Sequence, residues 1–303
     1  MSVAEPPTPP GEIFRALAVF AEPPGAEHGP LAATLGLGAP PTRAEHTDVF
    51  GFRFFPYASV YLGPEGMRGG EAGDRIAGFW RALELEPPAD PDHLTVLLAA
   101  YGALLDRAAA ARESEAESWR HASQVFLHEH LLSWAPLYLA RLEADGGGFY
   151  GTWARRLRRL LVGEPLAERL AATLPAALRE APPLPDPRVD GGEAFLHALL
   201  VPARVGFLLT RDDLARLAGE LGLGRRVGER RFVLRGLMSQ DAAAVLRALA
   251  GRARAGAALA AACGLPPSAR DWWRGRAAAA GELLASLAAD ATAREPAGDS
   301  AAD

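Results

Sequence analysis

The stretch Phe126-Leu127-His128-Glu129-His130-Leu131-Leu132-Ser133-Trp134-Ala135-Pro136, read with Pro91-Asp92-His93-Leu94 upstream, decides the fold class of this chain. Leu127, Leu131, Trp134 and Tyr138 fall at helical spacing and predict one long helix over about 115–144. Pro136 lies inside that run, lacks an N–H, and is expected to kink the helix; Gly146-Gly147-Gly148 ends it. Upstream, Leu94, Leu97, Leu98, Tyr101, Leu104 and Leu105 recur on one helical face. Asp90 before Pro91 reads as an N-cap followed by a first-position proline, with Asp92 in the first turn.

The same periodicity predicts further helices near 11–22, 48–61, 71–83, 149–161, 164–178 and 193–200, while strand-like alternation is scarce. Proline and glycine punctuate the chain at 64–70, at Pro87-Pro88 and at 182–192. Ala181-Pro182-Pro183-Leu184-Pro185-Asp186-Pro187 reads as a linker or a long crossing loop. Beyond it, Thr210-Arg211-Asp212-Asp213 has the form of a capping box with Asp in place of Glu, opening a helix to Leu221. Alanine-rich helices follow around 234–262 and 268–289, and the tail from Thr292 reads as disordered. The expected class is all-α: a compact multi-helix bundle with an additional C-terminal helical region. The expected organisation is a disordered N-terminus (1–10), a bundle (11–200), a helical extension packed on it as one cooperative unit (204–290), and a disordered tail (291–303).

At 303 residues and 49% hydrophobic, the chain can bury the core of one large domain or two small ones. A net charge of −5 offers no basic field of the kind that attracts nucleic acid. Every cationic side chain other than histidine is arginine, and there is neither lysine nor asparagine. That removes the Walker A lysine, Schiff-base chemistry and N-linked glycosylation. The single Cys263 cannot form an internal disulfide, which fits a reducing compartment. The stretch Met1 to Gly11 has no arginine and no apolar core, so no secretory or twin-arginine signal is expected there. No apolar run approaches the ~20 residues of a membrane span. The expected location is cytoplasmic.

Few motifs carry chemistry. His128-Glu129-His130 is not the zincin pattern, because Leu132 stands where the second histidine is needed. On a helix the two histidines lie about 200° apart, so no metal is expected there. Gly222 to Gly228 has one residue too many for a dinucleotide loop and reads as a turn that ends a helix. The basic run Arg225 to Arg235, after the 210–221 helix, leaves open a helical DNA-binding regulator using 210–235. The acidic whole and the lack of a dimerisation zipper argue against it. Phe50, Phe52, Phe54, Phe55, Tyr57 and Tyr61 read equally as a binding groove or as core. Phe79, Trp80 and Trp134 read as core.

F-x-x-x-H-L-x-x-W-x-P some thirty residues after P-D-H-L resembles the TorD/DmsD family of molybdoenzyme maturation chaperones. The resemblance extends over roughly 11–200. It includes Pro56-Tyr57-Ala58-Ser59-Val60-Tyr61-Leu62-Gly63 and the Phe149-Tyr150 pair. Leu209 to Leu214 and Gly228 to Phe232 look like a C-terminal region of a longer branch of that family.

The resemblance implies an all-helical cytoplasmic chaperone and not an enzyme, with no cofactor of its own, either monomer or homodimer. Its partner would be the apo catalytic subunit of a molybdopterin-containing oxidoreductase of the DMSO reductase type. It would bind that subunit's leader or N-terminal segment until cofactor is inserted, with no membrane or nucleic-acid partner. A twin-arginine leader joins two guanidinium groups to an apolar segment, so its receptor should combine carboxylates with an apolar groove. The candidate client-binding carboxylates are Glu84, Glu86 and Asp92, with Asp90 beside them, and Glu129. The other candidates are Tyr57, His93, His130 and Trp134. The plainer readings are a helix-dipole role for Asp92, worth ~0.3–1 kcal/mol, and burial for His93, His130 and Trp134.

Overall fold

The computed structural model describes residues 9–224 and 226–294. Of the ends expected to be disordered, 1–10 and 291–303, residues 1–8 and 295–303 lie outside them, as does Arg225 of the basic run. Among the described residues the regular elements are helical, and the one extended pairing is an antiparallel bridge between Tyr57 and His93. The all-α expectation holds. The chain forms two compact units. The first takes the chain up to Gly63, Met67–Arg179 and Cys263–Ala269; the second takes Pro64–Gly66, Glu180–Ala262 and the chain from Arg270.

The first unit contains α1 (Glu12–Ala18), α2 (His28–Thr34), α3 (Arg43–His46), α4 (Ala58–Leu62), α5 (Gly70–Ala82) and α6 (Leu94–Ala110). It continues through α7 (Glu113–Phe126), α8 (Ala135–Asp145), α9 (Gly148–Gly163), α10 (Glu168–Ala172) and α11 (Ala176–Glu180). The apolar face of α6 that the sequence predicted buries Leu94, Leu97, Leu98, Tyr101 and Leu104, packing on α1 and α7, while α8 packs on α9. Trp153 ties α9 to α1 by donating from Nε1 to the Leu17 carbonyl at 2.9 Å.

Three predicted helices of the first unit are broken, each for a physical reason. The expected helix over 115–144 is α7, a wide π turn at Leu127–Leu131, and then α8. The Leu132 N–H reaches back five residues to the Leu127 carbonyl at 2.7 Å, and Trp134 leaves helical geometry at φ −144°, ψ −37°. Pro136 therefore does not kink a helix; it sits in the first turn of a new one, where its missing N–H has no partner to lose. Asp90-Pro91 likewise precedes α6 instead of opening it. His93 is the N-cap, its Nδ1 accepting the Thr95 N–H at 3.3 Å, because His93 itself is extended, at φ −66° and ψ 137°, in the bridge to Tyr57. The expected 48–61 helix is a π turn at Thr47–Arg53, extended chain to Tyr57, and α4; Pro56 biases the residue before it away from helix. The expected 164–178 helix is interrupted before Pro175, giving α10 and α11.

The second unit contains α12 (Pro187–Asp190), α13 (Gly192–Ala198), α14 (Pro202–Val205), α15 (Arg211–Glu220) and α16 (Arg230–Met238). It also contains α17 (Ala242–Ala262) and most of α18 (Pro267–Arg294). Its core gathers Leu199, Phe207, Leu214, Leu234, Leu249 and Leu284. The Thr210 capping box forms as the sequence indicates: Thr210 Oγ1 accepts the Asp213 N–H at 3.2 Å, and Asp213 Oδ2 accepts the Thr210 N–H at 2.8 Å. The expected 234–262 helix is two helices, because Asp241 Oδ1 accepts the Ala244 N–H at 2.7 Å and starts α17 afresh. α18 runs to Arg294, beyond the expected start of the tail. The proline-rich segment is pinned and not a free tether. Arg276 donates to the Ala181 and Pro182 carbonyls at 2.8 and 2.5 Å, and Arg204 to the Pro183 carbonyl at 3.2 Å. Gly206, at φ +80°, lies so close to α18 that a Cβ would come within 2.2 Å of the Ala277 nitrogen.

Candidate functional site

The Tyr57–His93 bridge fixes a junction between the start of α4 and the start of α6. The Leu94 N–H donates to the Pro56 carbonyl at 2.8 Å, and the Ala58 N–H to the Asp92 carbonyl at 3.0 Å. Asp92 is 3% exposed, and its Oδ2 accepts the Ser59 N–H at 3.0 Å. Ser59 Oγ in turn accepts the Gly69 N–H at 3.1 Å, fastening the approach to α5. Asp92 is therefore not a first-turn carboxylate of α6: it satisfies an N–H in the first turn of α4, where a negative charge suits the helix dipole.

Tyr57 is half-buried at this junction. His93 meets its ring edge-on at 4.8 Å, and the Arg68 guanidinium lies 4.1 Å from its centroid. Arg68 also pairs with Asp90 at 2.8 Å. His93 Nδ1 is 3.5 Å from Glu22 Oε1. Burial holds the His93 pKa below its ordinary value, against the opposing pull of Glu22, Asp90 and Asp92.

Two depressions flank the junction. One, of about 510 Å3, is lined by Glu22, Pro23, His46, Phe50, Tyr57 and His93. His46 Nε2 lies 3.3 Å from the Ala21 carbonyl and its ring is 5.1 Å from Phe50; burial lowers its pKa as well. The other, of about 470 Å3, is lined by Asp74, Arg81, Glu86, Asp90 and Asp92, with Gly69 and Gly70 at its edge. Four carboxylates against one guanidinium make it acid-rich.

The sequence-predicted residues separate into two groups. Tyr57, Glu86, Asp92 and His93 meet at the junction and its depressions, and exposed Glu84 sits in the turn after α5 at φ +58°. The other three serve the interior. Glu129 Oε2 accepts the Ala176 N–H at 2.8 Å, starting α11. His130 is buried with its ring edge-on to Phe79 and Phe126 at 5.3 and 5.1 Å, and burial drives its pKa down to about 4. Trp134, 1% exposed, stacks on Tyr61 at 5.0 Å and donates to the His130 carbonyl at 2.9 Å. The aromatic string divides as well: Phe50, Phe54 and Tyr61 are buried, whereas Phe52 is exposed.

Sequence reasoning missed Glu22, His46 and Arg68. One signal for His46 was available, since Thr42-Arg43-Ala44-Glu45 is a capping box that announces α3. In the 210–235 region three arginines are engaged within their own unit. Arg216 pairs with Asp213 at 2.6 Å, Arg235 with Glu193, and Arg230 donates to the Leu209 carbonyl. Among the described residues no three His, Cys, Asp or Glu side chains converge as a metal site would, and no helix is long and apolar enough to cross a membrane.

Residues 36–140 match the family model described as nitrate reductase delta subunit. The chain is similar to the Chaperone protein TorD of Aeromonas salmonicida (strain A449), 36% identical over 104 residues, which are 34% of this chain and 48% of that protein. It is similar to the Chaperone protein TorD of Vibrio vulnificus (strain YJ016), 32% identical over 110 residues, 32% of this chain and 48% of that protein. The chain thus spans about half the length of the curated relatives it matches. No solved structure matches it. Tyr57, Asp92, His93, His130 and Trp134 all fall inside the matched residues, and over residues 36–140 this chain is similar to the nitrate reductase delta subunit family.

Proposed function

We propose that this protein is a cytoplasmic, system-specific chaperone for a molybdopterin-containing oxidoreductase. It binds the leader or N-terminal segment of the apo catalytic subunit, of the DMSO reductase type, holds it until cofactor is inserted, and catalyses nothing itself. The observation that carries this reading is the junction: a rigid bridge with an acid-rich depression on one side and an aromatic one on the other, built by the matched residues and the neighbouring α1. A segment that joins guanidinium groups to apolar side chains complements such a surface.

The roles divide by exposure. Glu86 and Asp90 face outward and receive guanidinium groups, Asp90 by exchanging its bond to Arg68. Asp92 is turned inward and holds the platform, while Tyr57 and His93 form its floor. Each carboxylate–guanidinium contact contributes ~1.5–3 kcal/mol when partly desolvated. Two of them with modest apolar burial give roughly micromolar affinity.

Calorimetry of the full chain with leader peptides and apo subunits of molybdoenzymes from the same organism tests the reading. Glu86→Gln and Asp90→Asn should each weaken leader binding about tenfold with the melting temperature unchanged. Failure to bind any of those subunits or leaders would sink it.

A further inference from the structure

On another face of α5 from the acid-rich depression lies a third, smaller one, about 60 Å3. Phe79, Trp80, Leu83 and Leu85 supply one wall, from the end of α5 and the turn after it; Ala103, Leu104 and Arg107 of α6 supply the other, the Arg107 guanidinium lying 5.0 Å from the Trp119 ring. Phe126 closes the back, edge-on to Phe79 at 4.9 Å, with His130 against both rings. Phe79 and Trp80, expected in the core, are only partly covered. Trp80 Nε1 is buried with no hydrogen-bond partner.

The surroundings select the ligand. Leu85 lines the apolar hole, and Glu86, the next residue, lines the acid-rich depression with Asp90. Within α5 the division repeats, Ala77 and Arg81 facing the acids while Phe79 and Trp80 face the hole. One short turn, Leu83 to Glu86, thus separates an apolar hole from a set of carboxylates. A peptide lying across it is complemented only if it carries an apolar side chain and a basic one a few positions apart.

We propose that this hole is an anchor subsite for a single aliphatic side chain of a basic client peptide. The peptide's arginine lies over Glu86 and Asp90. The identity of the occupant rests on the client-segment reading above. The volume admits the branched end of leucine and excludes an aromatic ring, so the subsite selects by size.

The test uses the full chain and blocked decapeptides in an alanine–serine host, titrated by NMR. Each carries one arginine and, three residues on, leucine, alanine or phenylalanine; a fourth replaces the arginine of the leucine peptide with glutamate. The leucine peptide should bind at least about tenfold more tightly than the alanine and phenylalanine ones, and the glutamate peptide should bind weakly. Ala103 is exposed, so Ala103→Leu can fill the mouth of the hole without disturbing the core, and it should abolish the preference for leucine. Melting curves confirm that the variant folds. Equal binding of leucine and alanine peptides, or a leucine preference that survives Ala103→Leu, overturns the subsite even if a molybdoenzyme leader binds. A leucine preference without any leader binding leaves the subsite standing and removes the client reading instead.

Discussion

Asp92 keeps its carboxylate on the Ser59 N–H while Glu86 and Asp90, close by in sequence, turn outward. Asp92→Ala leaves that buried N–H unpaired and should lower stability by ~1–3 kcal/mol. Asp92→Asn keeps an acceptor and should denature in urea much nearer to wild type. Trp134→Ala removes a fully packed indole and should cost ~3–5 kcal/mol, with client binding lost only as the fold is lost; melting curves taken beside binding data separate the two. His130 makes stability depend on pH. Its folded-state pKa, about 4, lies below the ordinary 6.5, so between those values the unfolded chain binds the extra proton. Stability is therefore complete above about pH 6.5 and falls on acidification, by roughly 2 kcal/mol at pH 5. Burial shifts His128, His93 and His46 in the same direction. Urea midpoints at pH 7 and pH 5 should show the loss, and His130→Phe should flatten part of it.

Among the elements, α15 begins where its sequence says it should, because a capping box is a contract between residues three apart. Thr210→Val breaks it next to buried Asp213 and should destabilise by ~1–2 kcal/mol, read from the urea midpoint. Signals of that range were legible, among them the apolar face of α6, the starts of α5 and α9, and the glycines after α8. What was illegible depends on distant partners. The break before Pro136 goes with Trp134 stacked on Tyr61, some seventy residues earlier in the chain. The start of α6 is set by a bridge to Tyr57 that no local pattern announces. The candidate site follows the same rule. Tyr57, Asp92 and His93 stood out because they lie in short motifs, whereas Glu22, His46 and Arg68 reach the junction from three other segments. His130 and Trp134 also stood out, but as groups the interior depends on.

For the molecule as a whole, neither unit is one continuous piece of chain. The first unit includes Cys263–Ala269. There Ser268 Oγ donates to the Thr173 and Ala171 carbonyls at 2.6 and 3.0 Å, and Arg158 donates to the Cys263 carbonyl at 3.2 Å. A chain ended at Arg179 loses all of these contacts. It should melt below the full-length protein's first transition in calorimetry, and an unchanged transition would show the returning segment to be dispensable.

The returning segment also sets a timetable for biosynthesis. A ribosome adding ~5–20 residues per second needs roughly 4–16 s to cover the chain between Arg179 and Cys263. Throughout that interval the nascent first unit lacks Ser268 as the donor to the Ala171 and Thr173 carbonyls, and Arg158 is held by Glu143 alone. The half of the molecule that carries the junction is thus sealed late, by residues made after the Glu180–Ala262 stretch of the second unit has already left the peptidyl-transferase centre.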